Sequence, residues 1–402
     1  MPGDKSISHR ALILGAIASG ESHARGLSTG ADVESTASCM RALGAGIEGS
    51  HIWGVGMGGL TAADRPLDCG NSGTTMRLLA GLLAAQAFAS ELGGDESLSR
   101  RPMGRVVEPL RLMGARAEWP PLRVGGHGPL RGIECATPIP SAQVKSALLL
   151  AGLFAEGTTT VVESVKTRDH TEVMLAAMGA EMKVERLRAS VALTDELHPF
   201  DIDVPGDFSA AAFWLAAAAL TRSPQVRLLG VGVNPTRTAF AETLVGLGVE
   251  VRRQKPRFEA NEPVADLEVV SANPSRPLRV DGRAAAEMID ELPVLAVVAT
   301  QLPGESVIAG ASELRVKESD RIEAMAEGLC AMGADIQVEA DGWVVHGPRQ
   351  LEGARVDSRG DHRVAMALAI AALIAEGKTE IDGAECVDIS YPGFFDHLEY
   401  LA

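Results

Sequence analysis

A chain of 402 residues is too long for one ordinary hydrophobic core, so two domains are expected. With 46% apolar and 22% charged residues it reads as globular, and with 4% aromatics it lacks the stacking platforms of single-stranded nucleic-acid binders. A net charge of −16 repels DNA, RNA and anionic membranes, so any anionic small molecule must be met by a local cluster of cations.

The chain opens with "MPGDKSISHR", where a Pro-Gly turn leads into an apolar run from Ala11 to Ile17 that predicts a helix. Lys5, Ser6, Ser8 and Arg10 then lie at or near a helix start, where unpaired N–H groups and the dipole favour anions. The phosphate-loop pattern needs an earlier glycine that this chain lacks. Two readings stand at this point, an anion site or a capped helix with a surface lysine.

Similar segments recur along the chain. Buried-type helices open at Ser6, Ser72, Ser141, Ser209, Asp290 and Asp361, at intervals of 66, 69, 68, 81 and 71 residues. They are apolar almost all round, which implies burial on every side, and each leads into a short β-like run. A second, less apolar helix type ends at Gly44, Gly114, Gly179, Gly248 and Gly333, each a predicted helix stop. Six units of this kind make an α/β protein of internal repeats, three per domain. The longer fourth interval and "NPTRT" at 234–238 suggest a crossover near residue 233.

Polar residues gather at the openings of the buried helices: Lys5, Ser6 and Arg10; Asn71, Thr74 and Arg77; Ser141, Gln143 and Lys145; Asp207 and Ser209; Asp290 and Glu291; Asp361, His362 and Arg363. Capping accounts for Asp207 and Ser209, but not for Lys or Arg where the dipole disfavours them. Further charge comes from "SRRPMGR" (Arg100, Arg101, Arg105), "KTRDHTE" (Lys166, Arg168, Asp169, His170) and "ELRVKESDRIEAM". In the last, Lys317 and Arg321 stand at i, i+4 with Glu318 beside them, which by itself also fits a solvated helix face. Capping or structural roles are expected for His170 and His362. Asp290 and Glu318 are the candidates for proton transfer.

Cys39, Cys69, Cys135, Cys330 and Cys386 are odd in number and form no C-x-x-C pair, which fits reduced cytosolic thiols and neither a disulfide framework nor a zinc site. No apolar run reaches the roughly 18 residues of a membrane span, and no signal peptide is evident, so a cytoplasmic location is expected.

The stretches "PGDKSISHRALILGAIASG", "DCGNSGTTMRLLAG", "RRPMGRVVEPL", "SAQVKSALLLAGL", "TRDHTE", "NPTRT", "MIDELPVLA", "ELRVKESDR" and "DHRVAMALA" together resemble the 5-enolpyruvylshikimate-3-phosphate synthase family, in collinear order over essentially the whole chain. The resemblance implies two similar domains, each of three βαβαββ-type units with buried helices (an inside-out α/β barrel), with the active site in the interdomain cleft. It places residues 5–232 in the first domain and 1–4 with 233–402 in the second. The implied reaction moves the enolpyruvyl group of phosphoenolpyruvate onto the 5-hydroxyl of shikimate 3-phosphate, with no metal and no cofactor, in a monomer that closes over its ligands.

By the same resemblance, shikimate 3-phosphate would be held by Lys5, Ser6, Arg10, Ser141, Ala142, Gln143, Arg168, Asp290 and Lys317. Phosphoenolpyruvate would be held by Lys5, Asn71, Gly73, Thr74, Arg101, Gln143, Arg321 and Arg363. Asp290, assisted by Lys317, would accept the hydroxyl proton, and Glu318 would manage the proton at the methylene carbon. Two departures stand out: Ile389 occupies a position where many members carry lysine, and the chain starts at the Pro-Gly-Asp-Lys motif that family chains reach only after a strand's length, so a late start or truncation is expected. Gly73 implies sensitivity to glyphosate, which in this family occupies the phosphoenolpyruvate site. The rivals are the related transferase acting on a UDP-sugar, which uses a loop cysteine that has no counterpart here, the RNA 3′-phosphate cyclases, and a non-catalytic binder of anionic metabolites.

Overall fold

The computed structural model describes residues 1–126, 128–221, 226–259, 261–272 and 274–401. Among the described residues six helices bury nearly all of their side chains: Lys5–Ile17, Gly73–Ala84, Ala142–Gly152, Phe208–Thr221, Leu292–Ala299 and His362–Ala372, here core helices one to six. Their composition leaves no polar stripe to face water, so each is enclosed by its neighbours. Asp4, Ser72, Ser141 and Asp361 cap four of them by accepting a backbone N–H. Core helix four begins on Asp207, whose Oδ1 accepts from the Ser209 N–H at 2.7 Å.

The second helix type is Ala31–Ala42, Gly104–Leu112, His170–Ala177, Ala239–Leu247 and Arg321–Ala331. The five stop glycines all adopt positive φ, 101°, 96°, 93°, 103° and 86° in chain order, which explains why glycine recurs there. A strand follows each of them.

Two compact units result, Gly3–Val204 with Phe258–Glu262 and Met1–Pro2 with Pro205–Arg257 and Pro263–Ala402, called here the first and second units. The chain thus passes between them at 204/205, not at 232/233, and at 2/3, not at 4/5. Core helix four is the reason: it packs on core helices five and six and on strand Val226–Gly232. The "NPTRT" stretch lies wholly inside the second unit, where Asn234 Oδ1 turns the chain by accepting from the Thr236 N–H. With this division three repeats fall in each unit, and each unit has its own apolar core. The return of Phe258–Glu262 to the first unit has no marker in the sequence.

Four sheets share one connectivity, a parallel pair followed by two antiparallel neighbours. In the first unit two of them run Leu67–Asp68, Ala89–Gly93, Leu122–Gly125, Ala117–Glu118 and Glu134–Thr137, Thr158–Glu163, Arg188–Ala192, Met182–Glu185. The second unit repeats the pattern with Arg279–Val280, Gly304–Ile308, Gly342–Gly347 and Asp335–Glu339. In the remaining sheet the parallel strand comes from the far end of the unit: Asp201–Asp203 lies beside Ser19–Arg25, which pairs with His51–Val55 and then Gly46–Glu48. Core helices two and three cross so closely that a Cβ on Gly81 would stand 2.0 Å from the Ala147 carbonyl oxygen. Among the described residues no helix is long and apolar enough to cross a membrane.

Candidate active site

In the first unit the polar residues at the starts of core helices one to three form two linked groups. Lys5, the first residue of core helix one, donates to Asp32 Oδ2 at 2.8 Å, so the cation that the dipole disfavours is offset by a carboxylate from the next helix. Ser6 lies half-buried one residue on, and its carbonyl accepts from Arg10 Nη1 at 2.8 Å. Arg10 itself is buried, and its other donors meet hydroxyls, Thr171 Oγ1 at 2.6 Å and Ser146 Oγ at 2.7 Å. Burial holds its guanidinium down to about 10, opposed by the pull of Glu172 and Asp4 and reinforced by the charge of Arg168. Arg168, half-buried two residues before helix His170–Ala177, therefore shares a field with Arg10, an arrangement suited to a multiply charged anion.

The second group surrounds the start of core helix two. Asn71 donates to Asp95 Oδ2 at 2.6 Å and accepts from Arg101 Nη2 at 2.6 Å. Arg101 is buried although its neighbour Arg100 is exposed, so one arginine of "SRRPMGR" is committed inward. Gln143, one residue inside core helix three, donates to Thr74 Oγ1 at 2.8 Å and accepts a short hydrogen bond from Arg77. A Cβ on Gly73 would stand 2.8 Å from Arg77 Nη1 and 3.3 Å from Arg101 Nη1, so glycine is what lets both guanidinium groups approach this turn. Ser141 caps core helix three and Ala142 is its first residue. The two groups join where Thr75 Oγ1 donates to the Asp32 carbonyl at 3.3 Å.

In the second unit Arg321 organises the site. It is buried, and its three nitrogens address three carboxylates: Nε to Asp361 at 2.7 Å, Nη2 to Glu318 at 2.6 Å and Nη1 to Asp290 at 3.4 Å. Burial alone would lower its pKa, but Asp361, Glu318 and Asp290 outweigh it and the guanidinium is raised above the ordinary arginine value. Lys317 Nζ stands 3.5 Å from Asp290 Oδ1. The i, i+4 helix-face expectation for Lys317 and Arg321 is wrong: the helix begins at Arg321, and Lys317 ends a separate 3₁₀ turn, Ser312–Val316. That break lets Lys317 and Arg321 converge on Asp290, with Glu318 paired to Arg321, instead of lining a solvated face.

Arg363, second residue of core helix six, donates to the Ser209 carbonyl at 3.2 Å and lies 5.8 Å from the Phe213 ring centre. Beside it Arg237 donates to Ser209 Oγ at 2.8 Å and to Asp207 at 3.2 Å. Of the histidines, His170 is buried against Glu262 at 2.7 Å, a carboxylate carried in by the returning segment, and His362 is buried as the first residue of core helix six. Ile389 ends a 3₁₀ turn, Ala384–Ile389, and is half-buried.

Sequence reasoning missed Asp32, Asp95, Thr171, Ser146 and Arg237 as partners. Asp32 and Asp95 had a signal, an acid at a helix start, but nothing local tells which distant cation it will meet. In the sequence Asp361 reads only as part of a helix opening, and Arg77 does not enter the expected ligand set.

A family model described as EPSP synthase (3-phosphoshikimate 1-carboxyvinyltransferase) matches residues 1–398. A 3-phosphoshikimate 1-carboxyvinyltransferase of Gloeobacter violaceus is 50% identical over 98% of this chain and 94% of its own. The enzyme of the same description from a Synechococcus species is 50% identical over 100% of this chain and 93% of its own. A solved EPSP synthase from Acinetobacter baumannii superposes with a TM-score of 0.87 at 42% identity, covering 100% of this chain and 94% of that one.

Proposed function

The chain belongs to the EPSP synthase family, and from that membership we infer that it transfers the enolpyruvyl group of phosphoenolpyruvate to the 5-hydroxyl of shikimate 3-phosphate and releases phosphate. This is a step of the shikimate pathway towards aromatic amino acids. The observation that carries the reading is the family match over residues 1–398, with the motif residues present in full apart from Ile389.

Lys5, Ser6, Arg10, Ser141, Ala142, Gln143 and Arg168 hold shikimate 3-phosphate, supported by the paired fields of Arg10 and Arg168. Lys5, Asn71, Gly73, Thr74, Arg101, Gln143, Arg321 and Arg363 hold phosphoenolpyruvate, where planar guanidinium forks match phosphate and carboxylate oxygens. Asp290, beside the Lys317 ammonium, takes the 5-hydroxyl proton as that oxygen bonds to C2 of phosphoenolpyruvate. Glu318 supplies the proton that C3 gains, and a tetrahedral adduct forms. The adduct collapses as the C2–O bond to phosphate breaks, C3 returns its proton to Glu318, and the released phosphate carries away the proton that Asp290 accepted. Fixed cations stabilise the charge that develops. No metal or organic cofactor enters the scheme, and a cytoplasmic monomer acting on small molecules is its simplest form.

The test is phosphate release assayed with each substrate alone and with both. Release should require both, and Asp290→Asn and Glu318→Gln should each lower kcat by about 10²–10⁴-fold, the usual range for a lost general acid or base. Release from phosphoenolpyruvate without shikimate 3-phosphate would defeat the reading. Gly73 leaves this site without a methyl group, so glyphosate should inhibit; undiminished turnover at millimolar glyphosate would refute that.

A further inference from the structure

We propose that Glu21, His23 and His51 form a binding site for a divalent metal ion of the zinc class on the outward face of the first unit's first sheet. His23 and His51 are direct cross-strand partners, and Glu21 precedes His23 by two residues on the same strand. The strand period of two therefore puts all three side chains on one face, while Ser22, Ala24 and Ile52 point into the unit. Glu21 Oε1 lies 2.7 Å from His51 Nδ1 and 3.7 Å from His23 Nε2, and the three ligand atoms lie within 4.8 Å of one another. Zinc bonds of about 2.0–2.2 Å place tetrahedral ligands roughly 3.3–3.6 Å apart, so small side-chain rotations bring these atoms onto an ion.

Charge favours the same conclusion. Among the described residues the ion-pair partners of Glu21 are those two histidines, which in neutral form offer lone pairs and no positive charge. Arg25, two residues beyond His23 on the same strand, is engaged by Asp201 and Asp203, each at 2.6 Å. Glu48, opposite His51 on the next strand, adds further negative charge. Two imidazoles and one carboxylate are a zinc-type donor set, and three protein ligands leave a position open. A depression of about 420 Å³ lined by Glu48, Gly49, Ser50, His51 and Trp53 adjoins the set at His51. The sequence expectation of no zinc site rests on cysteine spacing, which carries no information about a histidine–carboxylate set, and none of the residues proposed for enolpyruvyl transfer belongs to this one.

Trp53 supplies the probe. Its ring stacks on His51 with centroids 5.6 Å apart and planes 19° apart, so a metal at His51 perturbs its emission. The untagged full-length protein should take up one zinc ion in competition with a chromophoric chelator, with micromolar affinity. Losing even an outer partner of a metal-bound histidine weakens binding about 10–100-fold, so His51→Ala and His23→Ala should each weaken it at least about tenfold, and Glu21→Gln less. Nickel should quench a component of the fluorescence that disappears in Trp53→Phe and in His51→Ala. Unchanged affinity and stoichiometry in both histidine variants, which would place the ion on thiols or elsewhere, overturns the proposal. So does a failure of the parent protein to compete for zinc.

Discussion

Arg321 is the residue that ties together three carboxylates of the second unit's candidate site, Asp290, Glu318 and Asp361. Replacing it by Ala leaves Asp361, fully enclosed, without its ionic partner, a kind of loss that destabilises by about 3–5 kcal/mol. Arg321→Lys keeps the charge but cannot direct three nitrogens at three carboxylates, so it should fold while phosphoenolpyruvate KM rises. Calorimetry and steady-state kinetics on the pair separate the two effects; equal stability of parent and Ala variant would contradict the assignment. His9 carries a pH signature. It is enclosed and donates to or accepts from Thr36 Oγ1 at 2.7 Å, and burial, helped by Lys5 and Arg10, pushes its pKa well below the usual histidine value. A group depressed in the folded state stabilises above its unfolded pKa, and that contribution is lost as pH falls below about 6.5. Between pH 7 and pH 5.5 the parent should lose about 1 kcal/mol more than His9→Gln, which stays neutral and can still bond Thr36. Urea midpoints at the two pH values read this directly, and parallel slopes would rule it out.

Core helices two and three show what an element-level constraint looks like. Gly81 faces the Ala147 backbone, so Gly81→Ala forces two buried helices apart and should lower stability by about 1–3 kcal/mol despite alanine's better helix propensity. A raised melting temperature would show that the crossing can relax. The elements themselves were largely legible in the sequence, because all-round apolarity and a terminal glycine are local signals. Core helix four illustrates the limit. Its apolar pattern is plain, but the sequence does not place it in its unit, since the crossing at 204/205 depends on which neighbours the helix meets. The site divides in the same way. Lys5, Arg10 and Arg363 drew notice because cations at helix starts oppose the dipole. Their partners Asp32, Thr171 and the Ser209 carbonyl lie 27, 161 and 154 residues away, and periodicity carries no information about such pairs. The helix break before Arg321 was likewise hidden, because the i, i+4 spacing of Lys317 and Arg321 mimics one continuous face.

At the scale of the whole molecule, the net charge of −16 sits on a chain whose proposed anion-binding cations are largely enclosed and individually partnered. The enclosed cations lie among enclosed carboxylates such as Asp32 and Asp361, so the net negative charge limits promiscuous anionic partners while the proposed site keeps its cations in place. The closing strand of the first unit also sets a long-range requirement. Asp201–Asp203 adds to Ser19–Arg25 only when residues 178 apart meet, as in the contact of Arg25 with Asp203. Contacts of such separation form late, so in pulse-labelled hydrogen exchange during refolding the amides of Asp201–Asp203 should gain protection after those of core helices two and three. Simultaneous or earlier protection would show that the strand nucleates the unit.

On the ribosome the same arrangement becomes a matter of timing. Synthesis runs from the amino terminus, so Ser19–Arg25 emerges long before the segment that will cover its outer edge. For that interval it is an unpaired sheet border, the kind of surface through which nascent chains stick to one another. Its sequence, "SGESHAR", carries two glutamate-or-arginine charges, a histidine and a flexible glycine where a border of valines would invite pairing. The polar face that the strand later turns to solvent therefore also guards the unfinished chain.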